Sequence, residues 1–232
     1  MEIHPKKCQV LNITNKRNIT HYDYNIHGHT LEVMDSAKYL GVHIHKSLKW
    51  NHHINQVANK ANNTIAFLRR NLQHCPTNTK SLCYLTLVRP LTEYASVIWD
   101  PHTTENINKI EMTQRRAARM VYSDYQRTSS VTTMLTQLGW PTLQARRTQA
   151  KAVMMYRVVN QLIEIPSTIL VPIISTRGNN NSYLIPFART SVYQKSFFPD
   201  GIRIWNMLPS EAVACQSVDC FKAKIQATAT RR

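Results

Sequence analysis

The side chains able to bind metals or attack substrates are the natural starting point. Histidines pair as His43/His45 and His52/His53, with His27 and His29 shortly before them. A zinc site needs carboxylates or cysteines at ligand spacing beside such residues, and no H-E-x-x-H or H-x-H-x-D-H pattern occurs. These histidines read as surface or turn residues. None of the six aspartates neighbours another, and none lies between strand-like apolar residues. Two-metal phosphoryl transfer uses such carboxylates to hold its ions about 4 Å apart. The five glycines form neither a G-x-S-x-G elbow nor a phosphate-binding loop. Cys8, Cys75, Cys83, Cys215 and Cys220 are scattered and include no C-x-x-C pair. They read as unlinked thiols in a reducing nuclear or cytoplasmic setting, without a disulfide framework or zinc site. No catalytic residue, metal or cofactor is expected.

Basic chemistry remains. Lys and Arg outnumber Asp and Glu by 29 to 13, a net charge of +16. A surplus of that size suits a polyanion. Three clusters carry it. Lys60, Arg69 and Arg70 lie along or at the end of one helical pattern, Arg115, Arg116 and Arg119 in a second, and Arg146, Arg147 and Lys151 in a third. Residues three and four apart are neighbours on a helix surface, so Arg115, Arg116 and Arg119 form a tight patch; each cluster reads as a patch for phosphates or as a solvated face. Tyr22, Tyr24, Tyr39, Tyr122 and Tyr125 interleave with the charge. Such rings stack on bases or fill cores. The expected partner is RNA, DNA or an RNA–DNA hybrid, with no small-molecule substrate evident. No stretch approaches the roughly 20 apolar residues of a spanning helix, and MEIHPKKCQV lacks a secretory apolar run. The expected location is nuclear or cytoplasmic, not secreted, with no membrane partner.

The elements that position these residues follow from periodicity. From Cys8 to Ile44 the pattern is β: CQVLNIT alternates, YDYNI and TLEVM flank a His27-Gly28-His29 turn, and KYLGVHI closes the series. This predicts three or four short strands, too few to be stable alone. From Trp50 to about Ile165 the chain reads as helical. Trp50, Ile54, Val57, Ala61, Ile65, Leu68 and Leu72 share one helix face. Pro90 is expected to kink the next helix, which then continues through LTEYASVIW to Asp100-Pro101. Another helix starts near Thr104 with Ile107, Ile110, Ala117 and Val121 inward. Gly139 is expected to end a short helix, and Pro141 to open the last long one in its first turn. Beyond Pro166, VPIISTRGNNNSYLIP reads as a loop. FFPDGIRIWNMLP and SVDCFKAKI read as short helices, the second capped by Ser217. The fold class is therefore α+β, mainly α. A small N-terminal antiparallel β element (1–48) precedes a helical bundle (49–165) and a loop-rich C-terminal extension (166–232).

Three segments together resemble a known family. HPKKC with its strand, SAKYLGVHI, and LKWNHHINQVANKANNTIAFLRRNL resemble the region after the catalytic core in non-LTR (LINE, jockey-like) retrotransposon reverse transcriptases. TLVRPLTEYASVIWDPHTTENINKIEMTQRRAARMV is similar to their thumb, and SFFPDGIRIWNMLPSEAV with SVDCFKAKI to the usual end of such reading frames. The likeness runs in the family's order along essentially the whole chain. It implies that Lys7 corresponds to a lysine near the incoming nucleotide. Tyr39, Leu40 and Gly41 then form the primer-grip hairpin, and the helices from Trp50 onward clamp the template–primer duplex. It also implies that the fingers, the endonuclease and the palm's metal-binding aspartates are missing. Mg2+ then belongs only to the complete family enzyme, and this chain is a fragment without catalysis of its own. Two other readings stand beside it: a domesticated nucleic-acid-binding protein, and a protein-interaction module that binds no nucleic acid.

Overall fold

The computed structural model describes residues 4–14, 16, 18, 22–173 and 182–230. The fold is α+β and mainly α, 55% helical with 9% strand. The chain divides into two compact units, residues 1–57 and 58–232.

In the first unit a 3-10 turn, Pro5–Lys7, leads into β1 (Gln9–Val10). β2 (Asn25–Ile26) and β3 (His29–Thr30) form an antiparallel hairpin in which Asn25 faces Thr30. Its turn residues His27 and Gly28 have φ of 50° and 78°. Two successive positive φ angles match the twist of tight hairpins, and glycine adopts them without steric penalty. β4 (Glu32–Val33) pairs with β1 in parallel. The N-terminal element is therefore not purely antiparallel as expected. β5 (Ser36–Tyr39) and β6 (Val42–His45) make a second antiparallel hairpin, closed by Leu40 and Gly41 at φ 44° and 83°.

Leu40 is 72% exposed at that tip. A left-handed β-carbon meets the following carbonyl at a cost of about 1 kcal/mol. Replacing Leu40 by Asn creates the favoured Asn-Gly turn and is expected to stabilise the protein by about 0.5–1 kcal/mol. Urea titration of the two forms tests this; an unchanged or lower midpoint would show that Leu40 is not strained.

Helix α1 (Asn51–Asn71) follows the expected stripe, with Ile54, Ala61, Ile65 and Leu68 buried. After Pro76 come α2 (Thr77–Cys83), a π-helical turn (Tyr84–Val88) and α3 (Arg89–Glu93). Pro90 cannot donate to the turn before it, and the backbone there widens into the π form. The helix does not continue through Trp99 as expected. Tyr94 leaves helical geometry, Ala95 turns left-handed at φ 51°, and α4 (Ser96–Trp99) starts anew. α5 (Thr104–Tyr122) buries Ile110, Ala117 and Val121. α6 (Val131–Gln137) ends at Gly139, φ 63°, with Trp140 N–H bonded to the Leu135 carbonyl at 3.0 Å. α1, the π-helical turn, α5 and α6 share one core, in which Tyr84 and Trp140 stack at 4.2 Å.

α7 (Leu143–Val159) does not start at Pro141. Thr142 caps it, accepting from Ala145 N–H at 3.1 Å, while the Glu111 carboxylate accepts from Leu143 and Gln144 N–H at 3.2 and 2.7 Å. A carboxylate satisfies orphan amides and favours the positive end of the helix, so it fixes the start where proline lacks a donor. α8 (Ser191–Gln194), α9 (Phe197–Asn206), α10 (Ser210–Val213) and α11 (Val218–Thr230) follow. Ser217 accepts from Cys220 N–H at 3.2 Å, as expected of the α11 cap. Ala152, Met155 and Tyr156 of α7 form one core with Ile202, Trp205, Phe221 and Ile225. The stretch after residue 165 falls in the same compact unit as the helices before it. Much of the expected loop, residues 174–181, lies outside the described residues; at its margins Pro172 bridges Tyr183.

Candidate nucleic-acid interface

Two of the three basic clusters meet. α1 ends with Arg69 and Arg70 exposed, and α5 carries Arg116 and Arg119 on its last two turns. Each helix buries its apolar stripe in the shared core, which leaves these arginines on the outer side. Two adjoining cavities lie there, of about 390 Å3 and about 270 Å3. Arg69, Met120 and Tyr125 line both; Arg70, Lys80 and Ser123 line the larger, Arg116 and Arg119 the smaller. No carboxylate is among the lining residues of either. The Arg69 guanidinium sits over the Tyr125 ring, 5.9 Å from its centroid. An exposed cation–π contact of this kind contributes about 0.5–1 kcal/mol and holds the arginine in place.

Lys80 supplies the groove's most unusual group. It is 5% exposed, and its ammonium donates to the Gln73 carbonyl at 3.1 Å and the Ser123 hydroxyl at 2.8 Å. Among the described residues no carboxylate pairs with it. Buried charges are normally paired, so a buried ammonium on the wall of a basic groove favours an anion there. Lys80 is not apparent from the sequence, because TNTKSLC shows only a polar helical position.

The opposing field is small. Both α1 and α5 end at the groove, and each helix C-terminus carries roughly half a negative charge. Arg69, Arg70, Lys80 and Arg116 place whole positive charges against them. Arg119 works differently. Its guanidinium donates to the carbonyls of Asp124, Gln126 and Ser129 at 3.3, 2.8 and 3.4 Å, which fixes the loop bearing Tyr125. Asp124 turns into the same loop, and hydrogen bonds from Ser129 and the Gln126 N–H hold its carboxyl below the usual range. Lys60 and Arg115 lie on α1 and α5 but line neither cavity.

No family model, curated protein or solved structure matches this chain.

The third cluster does not form the basic surface its sequence suggests. Arg147 and Lys151 are 1% and 2% exposed and do not form a solvent face. Arg147 Nε donates to Asp100 Oδ1 at 2.7 Å, and Lys151 Nζ lies 2.7 Å from both Asp100 Oδ2 and Asp200 Oδ2. Burial alone raises the Asp200 carboxyl, but hydrogen bonds from Lys151 and Arg203 outweigh it and hold the group below the usual range. Arg146 pairs with Glu93, whose hydrogen bond pushes the guanidinium up. These cations are committed to Glu93 of α3, to Asp100 just after α4 and to Asp200 of α9, and do not form a patch open to phosphates.

In the first unit, Lys7 is exposed at the end of its 3-10 turn, and Tyr39 is 66% exposed at the hairpin tip beside Leu40 and Gly41. Leu40 and Gly41 form the turn of the β5–β6 hairpin. Tyr22 stacks edge-on with Tyr24 at 5.0 Å, and Tyr122 is half-buried. Among the described residues no three His, Cys, Asp or Glu side chains are grouped as a metal site, and no helix is long and apolar enough to cross a membrane.

Proposed function

We propose that this chain grips the sugar–phosphate backbone of an RNA–DNA or related duplex, as the thumb end of a non-LTR retrotransposon reverse transcriptase. The observation that carries this reading is the buried, carboxylate-free ammonium of Lys80 beneath Arg69 and Arg70 in a groove without acidic side chains. Arg116 extends the positive wall, and Tyr125 offers a ring at its rim. Backbone contacts of this type position a duplex without reading its sequence, and A-form hybrids are recognised mainly by shape and phosphates. In this reading the chain holds and orients the duplex. Bond-making belongs to metal-binding aspartates of the family's palm, and no residue here carries it.

The test is fluorescence anisotropy with a labelled RNA–DNA hybrid across a salt series. Log affinity is expected to fall linearly with log salt, with a slope of roughly 0.9 per phosphate neutralised. Arg69→Glu with Arg116→Glu is expected to weaken binding at least tenfold and flatten the slope by about 1–2. The same change of charge at the exposed Arg157 and Lys195 should have a clearly smaller effect. Equal losses from both pairs would show general charge attraction, and salt-independent or absent binding would overturn the reading.

A further inference from the structure

Two thiols meet near the C-terminus, away from the groove. Cys215 follows α10, Cys220 sits in the first turn of α11, and their Sγ atoms are 3.1 Å apart with the Cys220 thiol donating. That is only about 1 Å longer than a disulfide bond. The surroundings hold both residues in place. The Tyr156 hydroxyl donates to the Cys215 carbonyl at 2.7 Å, and Cys215 Sγ lies 3.7 Å from the Glu211 carbonyl oxygen. Cys220 N–H is fixed on the Ser217 cap at 3.2 Å. The two sulfurs differ in access: Cys215 is 6% exposed within the α7–α11 core, whereas Cys220 is exposed. Among the described residues no other cysteines touch.

We propose that Cys220 and Cys215 form a modification site for hydroperoxides, with Cys220 as the attacked thiol and Cys215 as the one that resolves it. The Cys220 thiolate attacks the terminal peroxide oxygen and the O–O bond breaks. The leaving alkoxide, or hydroxide, takes a proton, and the sulfur gives up two electrons to become a sulfenic acid. The Cys215 sulfur then attacks the Cys220 sulfur. The S–O bond breaks, and the hydroxide leaves as water with the Cys215 proton. The hydrogen bond with Cys220 and burial both push the Cys215 thiol up, which leaves the exposed Cys220 as the thiol that meets the peroxide first. The resulting bridge ties the start of α11 to the end of α10. Phe221, stacked on Tyr156 at 4.6 Å, is the next residue along.

The test uses the full chain treated with hydrogen peroxide, alkylated with iodoacetamide and digested with trypsin. Cleavage after Arg203 and Lys222 puts both cysteines on one peptide. The expected product is that peptide without alkylation and two hydrogens lighter, while Cys8, Cys75 and Cys83 remain alkylated. Cys215→Ala should abolish the bridge and leave a sulfenic acid on Cys220 that dimedone traps. If that variant fails to fold by circular dichroism, Cys220→Ala serves instead, and its Cys215 should stay alkylated under peroxide. Oxidation of the wild-type protein to sulfinic acid without pairing, a bridge between two chains, or equal dimedone trapping with and without Cys215 would each overturn the proposal.

Discussion

Asp100→Ala is expected to destabilise the protein by about 3–5 kcal/mol, the range for breaking one partner of a buried ion pair. Arg147 is 1% exposed, and its only hydrogen bond within the described structure runs from Nε to Asp100. Its two terminal nitrogens already lack partners. Without Asp100 the whole guanidinium is a buried, unpaired charge. Lys151 fares better, because Asp200 still accepts from it at 2.7 Å. The asymmetry makes a second outcome checkable. Asp100→Leu combined with Arg147→Met removes both charges, and replacing a buried pair by apolar groups is often close to neutral. That double variant should recover more than half of the loss. Urea unfolding at constant m-value reads both numbers. A loss below about 1 kcal/mol from Asp100→Ala would place Arg147 in water after all.

Acid is expected to destabilise the first unit through one histidine. His53 is 4% exposed, and burial, with the neighbouring charges of His43 and His52, lowers its pKa from 6.5 to about 4. The His43 N–H donates to His53 Nδ1 at 3.3 Å, a bond that needs this nitrogen unprotonated. His43 itself is lowered, mainly by burial and then by His52 and Lys38. The sign follows from the proton count. Above pH 6.5 both states carry neutral His53 and the folded form keeps its full stability. Between pH 6.5 and about 4 the unfolded chain binds a proton that the folded chain refuses, so stability falls with pH. The window spans about 3 kcal/mol, with no further loss from this group once the folded form also protonates. His53→Gln keeps an acceptor for the His43 amide and has no proton to take up. Its stability should be nearly flat across the window where the wild type slopes, and parallel curves would remove His53 as the cause.

What the sequence made legible was what is local. The stripe from Ile54 to Leu68 names the buried face of α1, and Gly28 and Gly139 mark two turns where they stand at positive φ, whereas the turn at Leu40-Gly41 splits KYLGVHI, whose pattern reads as one β segment. The groove was half visible. Arg69 and Arg116 read as basic surface positions, but nothing in their spacing places them around Tyr125. The third cluster shows the limit most plainly. Arg147 and Lys151, four apart, have the same spacing as a solvent face. Their partners, Asp100 and Asp200, are 47 and 49 residues away from Arg147 and Lys151, respectively. Lys80 hides for the same reason, since Ser123 lies 43 residues further on. The start of α7 was misplaced because its cap includes Glu111 from another helix, whereas Pro141 offered a local signal.

The way Arg119 holds its loop has a consequence for how this surface varies. All three of its bonds end on main-chain carbonyls, groups that every residue type possesses. The contour from Asp124 to Ser129 therefore depends little on the side chains written into it. Gln126, Arg127 and Thr128 are exposed, and each is open to replacement while the frame stays put. Substitution there changes what the rim offers a partner without redrawing the rim, so new preferences are reachable one residue at a time, with Arg119 as the position that tolerates no such freedom.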